Sequence, residues 1–253
     1  KGQNELHPHQ LMMSATPIPR SLAMSYYADL DVSSIDELPP GRTPIKTLLI
    51  NNVRRKEVIK FVQQHACLGN QAYWVCPLIE ESEKLELENA INTHEELTNA
   101  LAPIKVGLVH GKMKSKDKAE VMADFTANWT QVLVATTVIE VGVDVPNASI
   151  MVIEHSERMG LAQLHQLRGR VGRGSTESQC VLLYEGNPSE VAKQRLKVIS
   201  SSNDGFEIAR QDLLIRGPGE LLGQRQSGLP ALRFANLEAD LDILHAAREI
   251  AKT

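Results

Sequence analysis

The chain has few aromatic residues, few cysteines and no long apolar run. Phe, Trp and Tyr make up only 4% of its 253 residues, so aliphatic side chains must build most of the core. No apolar segment approaches the roughly 20 residues that a membrane-spanning helix needs, and the N-terminus has no signal-peptide pattern. These absences predict a protein with no membrane partner. Because the chain does not begin with Met, we expect it to be part of a longer protein.

Cysteine is limited to three widely spaced residues, Cys67, Cys76 and Cys180, with no CxxC pair. An odd set with this spacing is typical of buried thiols in a reducing cytosol and argues against a disulfide framework. His7 and His9 lack a carboxylate or cysteine partner at a suitable ligand spacing. We therefore predict no metal site.

The net charge of −4 argues against indiscriminate binding of nucleic acid through bulk charge. A local basic track is still compatible with that charge, because lysines occupy positions 112, 114, 116 and 118. The acidic stretch 80–96 is most simply the solvated face of a helix at the periphery.

Short apolar runs rich in Val and Ile alternate with helical patterns along the first part of the chain. Near-continuous hydrophobic strands of this kind indicate a parallel sheet that is covered on both faces, so we predict a doubly wound α/β fold. In such folds ligands bind at the carboxyl ends of the strands. The predicted strands are Ile45–Ile50, Ala72–Pro77, Lys105–His110, Gln131–Ala135, Ser149–Glu154 and Gln179–Tyr184.

Helical periodicity predicts the helices between these strands. A helix over 54–65 would bury Val58, Ile59 and Val62, and Ser115 is placed to cap a helix that continues to about Asn128. After Tyr184 the pattern changes to helices and loops with no further strand, closing with a helix over about 237–252.

The segment 166–174, Gln-Leu-Arg-Gly-Arg-Val-Gly-Arg-Gly, places Arg170 and Arg173 three residues apart around Gly172. On a helix this spacing would put both guanidinium groups on one face, where they could bind a single anionic group. Arginine binds phosphate oxygens bidentately and stays charged, which makes it the usual finger residue in phosphoryl transfer. The alternative is a solvated basic helix end.

A second polar segment, 135–146, directly follows a predicted buried strand. Thr136 and Thr137 offer hydroxyl and N–H groups to a phosphate backbone at a strand-to-helix turn. Gly142 allows a close approach of the backbone, and Asp144 can accept a hydrogen bond from a ribose hydroxyl. The alternative is a plain strand, turn and helix cap. It would explain Thr136 but not the other residues of the segment.

Two weaker signals complete the set of candidate residues. His110 and Gly111 place a polar group and a glycine at another strand end, although a single His there is more often structural. Ser14 and Thr16 follow a short apolar run and share one side of an extended segment, which by itself indicates only a turn.

Together these segments resemble the signatures of superfamily-two helicases. Residues 14–16 resemble motif III, 135–146 motif V and 166–173 motif VI. The closest resemblance is to the RecG family of bacterial ATP-dependent DNA helicases, and it extends from about Leu11 to at least Gly228. The segments that carry it are Pro40–Pro44, Gly160–Gly174, Ser202–Phe206, Leu214–Gly223 and Arg225–Gly228.

The resemblance implies a RecA-like sheet and three parts of the chain. Residues 1–43 would be the end of a first motor domain and a linker, 44–185 a second RecA-like domain, and 186–253 a helical translocation-motif region. No GxxxxGK[ST] or DExH segment occurs, so the residues that hold the ATP phosphates and Mg²⁺ would lie in the first motor domain. The chain by itself should therefore be inactive.

The resemblance also implies a role for each candidate residue. Arg170 and Arg173 would be the fingers, Gly142, Asp144 and Gln166 would contact the nucleotide, and Thr136, Thr137, His110 and Gly111 would contact DNA. The residues that would couple nucleotide state to DNA movement are Ser14, Thr16, Arg195, Arg216 and Gln226.

The family resemblance further implies ATP and Mg²⁺ as cofactors of the whole enzyme. Its partners would be branched DNA, such as stalled forks and Holliday junctions, and the wedge and first motor domains of the same polypeptide. The location would be the bacterial cytoplasm, at the nucleoid. Two alternatives remain. One is the motor of the transcription–repair coupling factor, against which Pro218 argues. The other is a non-catalytic nucleic-acid-binding module, in which two finger arginines would have no role.

Overall fold

The computed structural model describes residues 44–77, 83–136, 145–174 and 176–216, and the single positions 11, 13, 35 and 250. Six strands form one sheet in the order β1-β6-β5-β2-β4-β3, and every neighbouring pair is parallel. The predicted doubly wound α/β fold is therefore confirmed. The strands are β1 Lys46–Asn51, β2 Gln71–Val75, β3 Val106–Val109, β4 Val132–Ala135, β5 Ala148–Ile153 and β6 Gln179–Tyr184.

Six helices accompany the sheet within the described residues. They are α1 Arg55–Cys67, α2 Glu83–Leu101, α3 Ser115–Thr126, α4 Leu161–Arg168, α5 Glu190–Ser201 and α6 Gly205–Arg216. Short 3-10 turns precede α1 at Asn52–Arg54 and α4 at Ser156–Arg158. No helix in these ranges is long and apolar enough to cross a membrane.

The helices cover the sheet in two layers. On one face α1 and α2 pack Val62 and Leu97 against the central strands around Trp74, which is fully buried. On the other face α3, α4, α5 and α6 share a second apolar cluster. Residues of one strand alternate between the two clusters, which explains why the central strands are apolar along their whole length.

The predicted helix over 54–65 corresponds to α1, whose buried side chains include Val58, Ile59 and Val62. The predicted cap of α3 was wrong. Ser115 is its first helical residue, and Lys114 occupies the N-cap position without a side-chain hydrogen bond. The helix ends at Thr126, because the backbone turns left-handed at Asn128 (φ 60°).

The acidic stretch lies on α2, and its described members Glu88, Glu95 and Glu96 are exposed, as predicted. Glu96 is not only solvated. It accepts a hydrogen bond from Arg55 at 2.6 Å, which links α2 to the start of α1.

Candidate functional site

The two candidate finger arginines lie in a loop and not on a helix. Helix α4 buries Leu161, Leu164 and Leu167 and ends at Arg168, so the helical spacing argument for Arg170 and Arg173 was wrong. We call residues 169–174 the arginine loop. Gly172 has a φ of +78°, a conformation that glycine adopts readily.

The arginine loop lies at the amino edge of the sheet, where β1, β5 and β6 begin. Gly172 is next to Ile45, which precedes β1, and Gly174 is against the carbonyl of Pro146, which precedes β5. The N–H of Lys46 donates to the carbonyl of Ser178 at 3.0 Å. The arginine loop is thus at the opposite edge from the carboxyl ends, where the fold alone predicted ligands.

Within this region the polar groups are accessible. Gln166 and Arg173 are exposed, and Arg170 is half-buried. The backbone N–H of Arg170 donates to Leu167, which holds the start of the loop against the last turn of α4. The side chains of Gln166 and Arg173 are therefore accessible at the end of α4 and in the arginine loop, and that of Arg170 is partly so.

Three of the candidate DNA residues, His110, Gly111 and Thr136, lie at the carboxyl edge. His110 directly follows β3 and Thr136 directly follows β4, and the preceding residues Val109 and Ala135 are paired across the two strands. The N–H of Thr136 also donates to the carbonyl of Val109 at 3.2 Å. The structure therefore brings His110, Gly111 and Thr136 together, as the sequence predicted for polar groups at strand ends.

At the ends of β3 and β4, Thr136 Oγ1 and His110 Nδ1 are buried and have no hydrogen-bond partner among the described residues. Thr136 is only 3% exposed, so its hydroxyl is poorly placed to be satisfied by bulk water. Burial lowers the pKa of His110, and Lys118 and Lys112 lower it further, so the imidazole is neutral near pH 7. Lys118 Nζ donates to the carbonyl of Gly111 at 3.0 Å and orders the turn.

Charged side chains lie at several strand ends along the carboxyl edge. The lysines lie beyond β3, whereas the turns after β5 and β6 carry His155, Glu157 and Glu185. His155 Nδ1 is 3.8 Å from a carboxylate oxygen of each glutamate, and the carboxylates of Glu157 and Glu185 raise the pKa of His155. The lysines make the β3–β4 end of this edge favourable for an anionic group.

Sequence reasoning missed a hydrogen-bond network around Glu154 at the carboxyl edge. Glu154 follows β5 and accepts hydrogen bonds from Arg55 Nε at 2.7 Å and from the Trp74 indole at 2.9 Å. Burial, with Glu154 close by, raises the pKa of the Cys76 thiol to about 12. This network is satisfied within the described part of the chain, so we assign it to the scaffold.

Sequence reasoning also missed Arg168, which is 2% exposed. Burial lowers the pKa of this guanidinium below its ordinary value, and its hydrogen bonds go to helix carbonyls, a hydroxyl and an imidazole. The sequence contains a pattern that could have predicted this burial. Arg168 continues the apolar stripe of Leu161 and Leu164 at helical spacing, so its side chain had to point into the protein.

The remaining candidate residues are only partly described. Arg195 lies on α5 with its Nε buried and without a partner among the described residues, and Arg216 is the last residue of α6. The other six candidates, Ser14, Thr16, Thr137, Gly142, Asp144 and Gln226, lie outside the described residues, as do most of the predicted segment 1–43 and most of the predicted final helix.

An all-parallel sheet covered by helices on both faces, with this strand order, is a RecA-like α/β fold of the kind found in helicases. The model of the helicase conserved C-terminal domain matches residues 48–175, and that of the ATP-dependent DNA helicase RecG, domain 3, C-terminal, matches residues 202–253. The chain belongs to the helicase conserved C-terminal domain family and, within it, to the RecG proteins.

Individual relatives agree with this assignment. The chain is 59% identical to the ATP-dependent DNA helicase RecG of Escherichia coli (strain K12) and 48% identical to that of Bacillus subtilis (strain 168), over 100% and 99% of its length. It spans 37% and 36% of those relatives. A solved structure of RecG bound to a three-way DNA junction is 47% identical, with a TM-score of 0.71 over 92% of this chain and 30% of that one.

Proposed function

We propose that the chain is the second motor domain and coupling extension of an ATP-driven DNA translocase, which unwinds and regresses branched DNA. The observation that carries this proposal is the separation of two polar sets on one sheet. The arginine loop is at the amino edge, and the unpartnered Thr136 and His110 are at the carboxyl edge. A translocase needs both a nucleotide-facing and a DNA-facing surface on the same body.

The carboxyl edge would bind the phosphate backbone of the DNA strand. Lys112 and Lys118 supply positive charge beside His110, at the strand ends where phosphate oxygens would bind. Contacts of this type position a protein on DNA without reading its sequence. Branched DNA as the partner is supported by the relative whose structure is bound to a three-way DNA junction.

The amino edge would face ATP held by the first motor domain of the whole protein. Arg170 and Arg173 fit the phosphate end of a nucleotide, because guanidinium groups neutralise charge that develops on the transferred phosphoryl group. Among the described residues, no group of three His, Cys, Asp or Glu side chains could hold a metal ion. The residues that hold the Mg²⁺ of ATP would therefore lie in the first motor domain of the whole protein.

The alternative of a transcription–repair motor is not favoured, because the RecG-specific model matches residues 202–253. We further propose that the protein works in the bacterial cytoplasm at the nucleoid. This location is supported by bacterial relatives such as those of Escherichia coli and Bacillus subtilis.

The test is substitution of the candidate fingers in the whole protein. Arg170→Ala or Arg173→Ala should lower DNA-stimulated ATP hydrolysis by about 10³-fold, the lower range for a lost finger, and should leave DNA binding intact. ATP turnover would be measured by phosphate release, and DNA binding by fluorescence anisotropy with a labelled fork. Arg158→Ala is the matched control, because this exposed arginine lies at the other end of α4. Normal turnover in both finger variants would contradict the proposal.

A further inference from the structure

Trp129 is the most exposed aromatic residue in the described part of the chain. It is 68% exposed, whereas the other tryptophan, Trp74, is fully buried and Phe206 is 46% exposed. An indole carries a large apolar surface, so an indole left in water gives up the stabilisation that its burial would contribute. Single exposed apolar side chains are ordinary on protein surfaces, so the support and the position of Trp129 decide what it can bind.

The loop 127–131, between α3 and β4, holds the backbone of Trp129 in place. Asn128 takes the left-handed conformation with a φ of 60°, and the N–H of Trp129 donates to the carbonyl of Asp124 at 2.9 Å. Gln131 Nε2 donates to the carbonyl of Asn128 at 2.8 Å. Because the backbone around Trp129 is already ordered, a ligand that binds the indole does not have to order the loop first.

The same loop is tied to the starts of the neighbouring strands. Gln71, the buried first residue of β2, donates from Nε2 to the carbonyl of Thr130 at 2.8 Å. The N–H of Lys105, which precedes β3, donates to Gln131 Oε1 at 3.2 Å. Trp129 therefore lies at the amino edge of the sheet, where β2, β3 and β4 begin.

The arginine loop lies on this same edge, two strands away. Gly174 is against the carbonyl of Pro146, which precedes β5, and Asn147 Nδ2 donates to the carbonyl of Gly69, which precedes β2, at 2.7 Å. The strands β5, β2 and β4 are neighbours in that order, and a spacing of about 4.8 Å puts the starts of β5 and β4 about 10 Å apart. Because β1 is the outer strand on the other side, a nucleotide with its phosphates at the arginine loop extends along the edge toward β2 and β4.

We propose that Trp129 is a binding residue on which the adenine ring of ATP stacks while the phosphates lie at the arginine loop. This inference rests on the nucleotide-facing role proposed above for that loop. The separation along the edge is comparable with the distance from the terminal phosphate to the base in an extended nucleoside triphosphate. The flat face of an indole suits this contact, because every nucleobase has a π-face that stacks on aromatic side chains.

The experiment compares a nucleotide with its counterpart that lacks the base, in the whole protein with fork DNA present. The dissociation constant of ADP would be measured by isothermal titration calorimetry, and that of ribose 5-diphosphate by competition with ADP. Trp129→Ala should raise the dissociation constant of ADP by about tenfold, within the range for a lost base stack, and that of ribose 5-diphosphate by less than about twofold. Trp129→Phe keeps an aromatic face and should retain most of the affinity for ADP.

Val53→Ala is the control for the loss of exposed apolar surface elsewhere. Val53 is 91% exposed in the turn after β1, at the carboxyl edge, and its substitution should leave both dissociation constants unchanged. If Trp129→Ala weakened both ligands equally, the indole would act by packing against another part of the protein, and the inference would be overturned. Unchanged binding of ADP would overturn it as well. Both results leave the proposed function intact, whereas normal ATP turnover in the Arg170→Ala and Arg173→Ala variants would overturn that function and this inference with it.

Discussion

Gly172 determines the path of the arginine loop through two separate constraints. Its φ of +78° lies in the left-handed region, and a Cβ at this position would be 3.0 Å from Ile45 Cγ1. The first constraint concerns the backbone alone, whereas the second concerns the packing of the loop against the entry to β1. Gly69 has a similar φ of +88° but no atom within 4 Å of its Cβ position, so the two constraints can be separated.

We expect Gly172→Ala to destabilise the chain by about 1 kcal/mol more than Gly69→Ala. Both substitutions incur the left-handed strain of about 1–2 kcal/mol, and only Gly172→Ala adds overpacking against Ile45. Urea unfolding of the purified variants, followed by circular dichroism, measures the difference. The added Ile45→Val substitution should recover part of it. Equal losses in the two alanine variants would show that packing against Ile45 does not constrain the loop.

Sequence could identify the arginines of this region but not their separate environments. Arg168, Arg170 and Arg173 all occur in one short segment, yet only Arg168 is buried. The acceptors that make its burial possible come from Ile199 and Ser202, and no local pattern predicts a partner at that separation. The helical spacing of Arg170 and Arg173 was wrong because α4 ends at Arg168, before either arginine, and the chain then turns left-handed at Gly172 next to Ile45.

At the scale of elements, the strands were predictable and the helix ends were less so. Buried parallel strands are apolar on both sides, and each predicted strand overlaps the observed one, with β6 over the same residues. The start of α3 is a helix end that the sequence predicted incorrectly by one residue. Ser115 has the residue type of an N-cap, but the extended backbone of Lys114 places the cap one residue earlier.

The α5–α6 hairpin was predicted as helical, but its packing on α4 was not. This packing depends on contacts between separate apolar stripes, with Leu196 and Ile199 on α5 and Ile208 on α6 entering the cluster that contains Leu164. Each stripe is visible in the sequence, whereas the choice of partner is a property of the assembled fold. The hairpin also carries two of the predicted coupling residues, Arg195 and Arg216.

We expect Arg216→Ala in the whole protein to lower fork unwinding by about tenfold while DNA-stimulated ATP hydrolysis is largely retained. Arg216 ends α6, beyond the last strand and on a different element from the arginine loop. Gln226→Ala should behave in the same way. Arg210→Ala is the control, because Arg210 is exposed on the same helix and pairs with Glu207 at 2.9 Å. Equal losses of unwinding and hydrolysis in Arg216→Ala would assign this residue to the nucleotide instead.

At the scale of the whole molecule, the sheet and its two helical layers form a core that does not need a second motor domain. Both apolar clusters are built from residues between Ile45 and Ile215. Catalysis needs more than this core. The candidate fingers act only on ATP whose phosphates are held by a P-loop, and the sequence contains no GxxxxGK[ST] segment. We therefore expect this chain to fold but not to hydrolyse ATP.

The purified 253-residue chain should unfold in a single cooperative thermal transition and should not hydrolyse ATP above background, even with fork DNA present. Phosphoryl transfer requires the amide cradle, lysine and Mg²⁺ around the γ-phosphate before an arginine can contribute. Calorimetry and phosphate release with and without a fork are the two measurements. The whole protein at the same concentration is the positive control. DNA-stimulated turnover by the chain alone would reveal a nucleotide site that the sequence does not show.

The opposite placement of the two polar edges has a thermodynamic consequence. Strands of four to six residues separate the edges by about 13–20 Å, which exceeds the Debye length of about 8 Å at physiological salt. Exposed charges at one edge therefore have little direct effect on a ligand at the other, and any mutual influence must come from a shift between arrangements of the whole protein. Such a coupling is reciprocal, so the factor by which a fork tightens nucleotide binding must equal the factor by which nucleotide tightens fork binding.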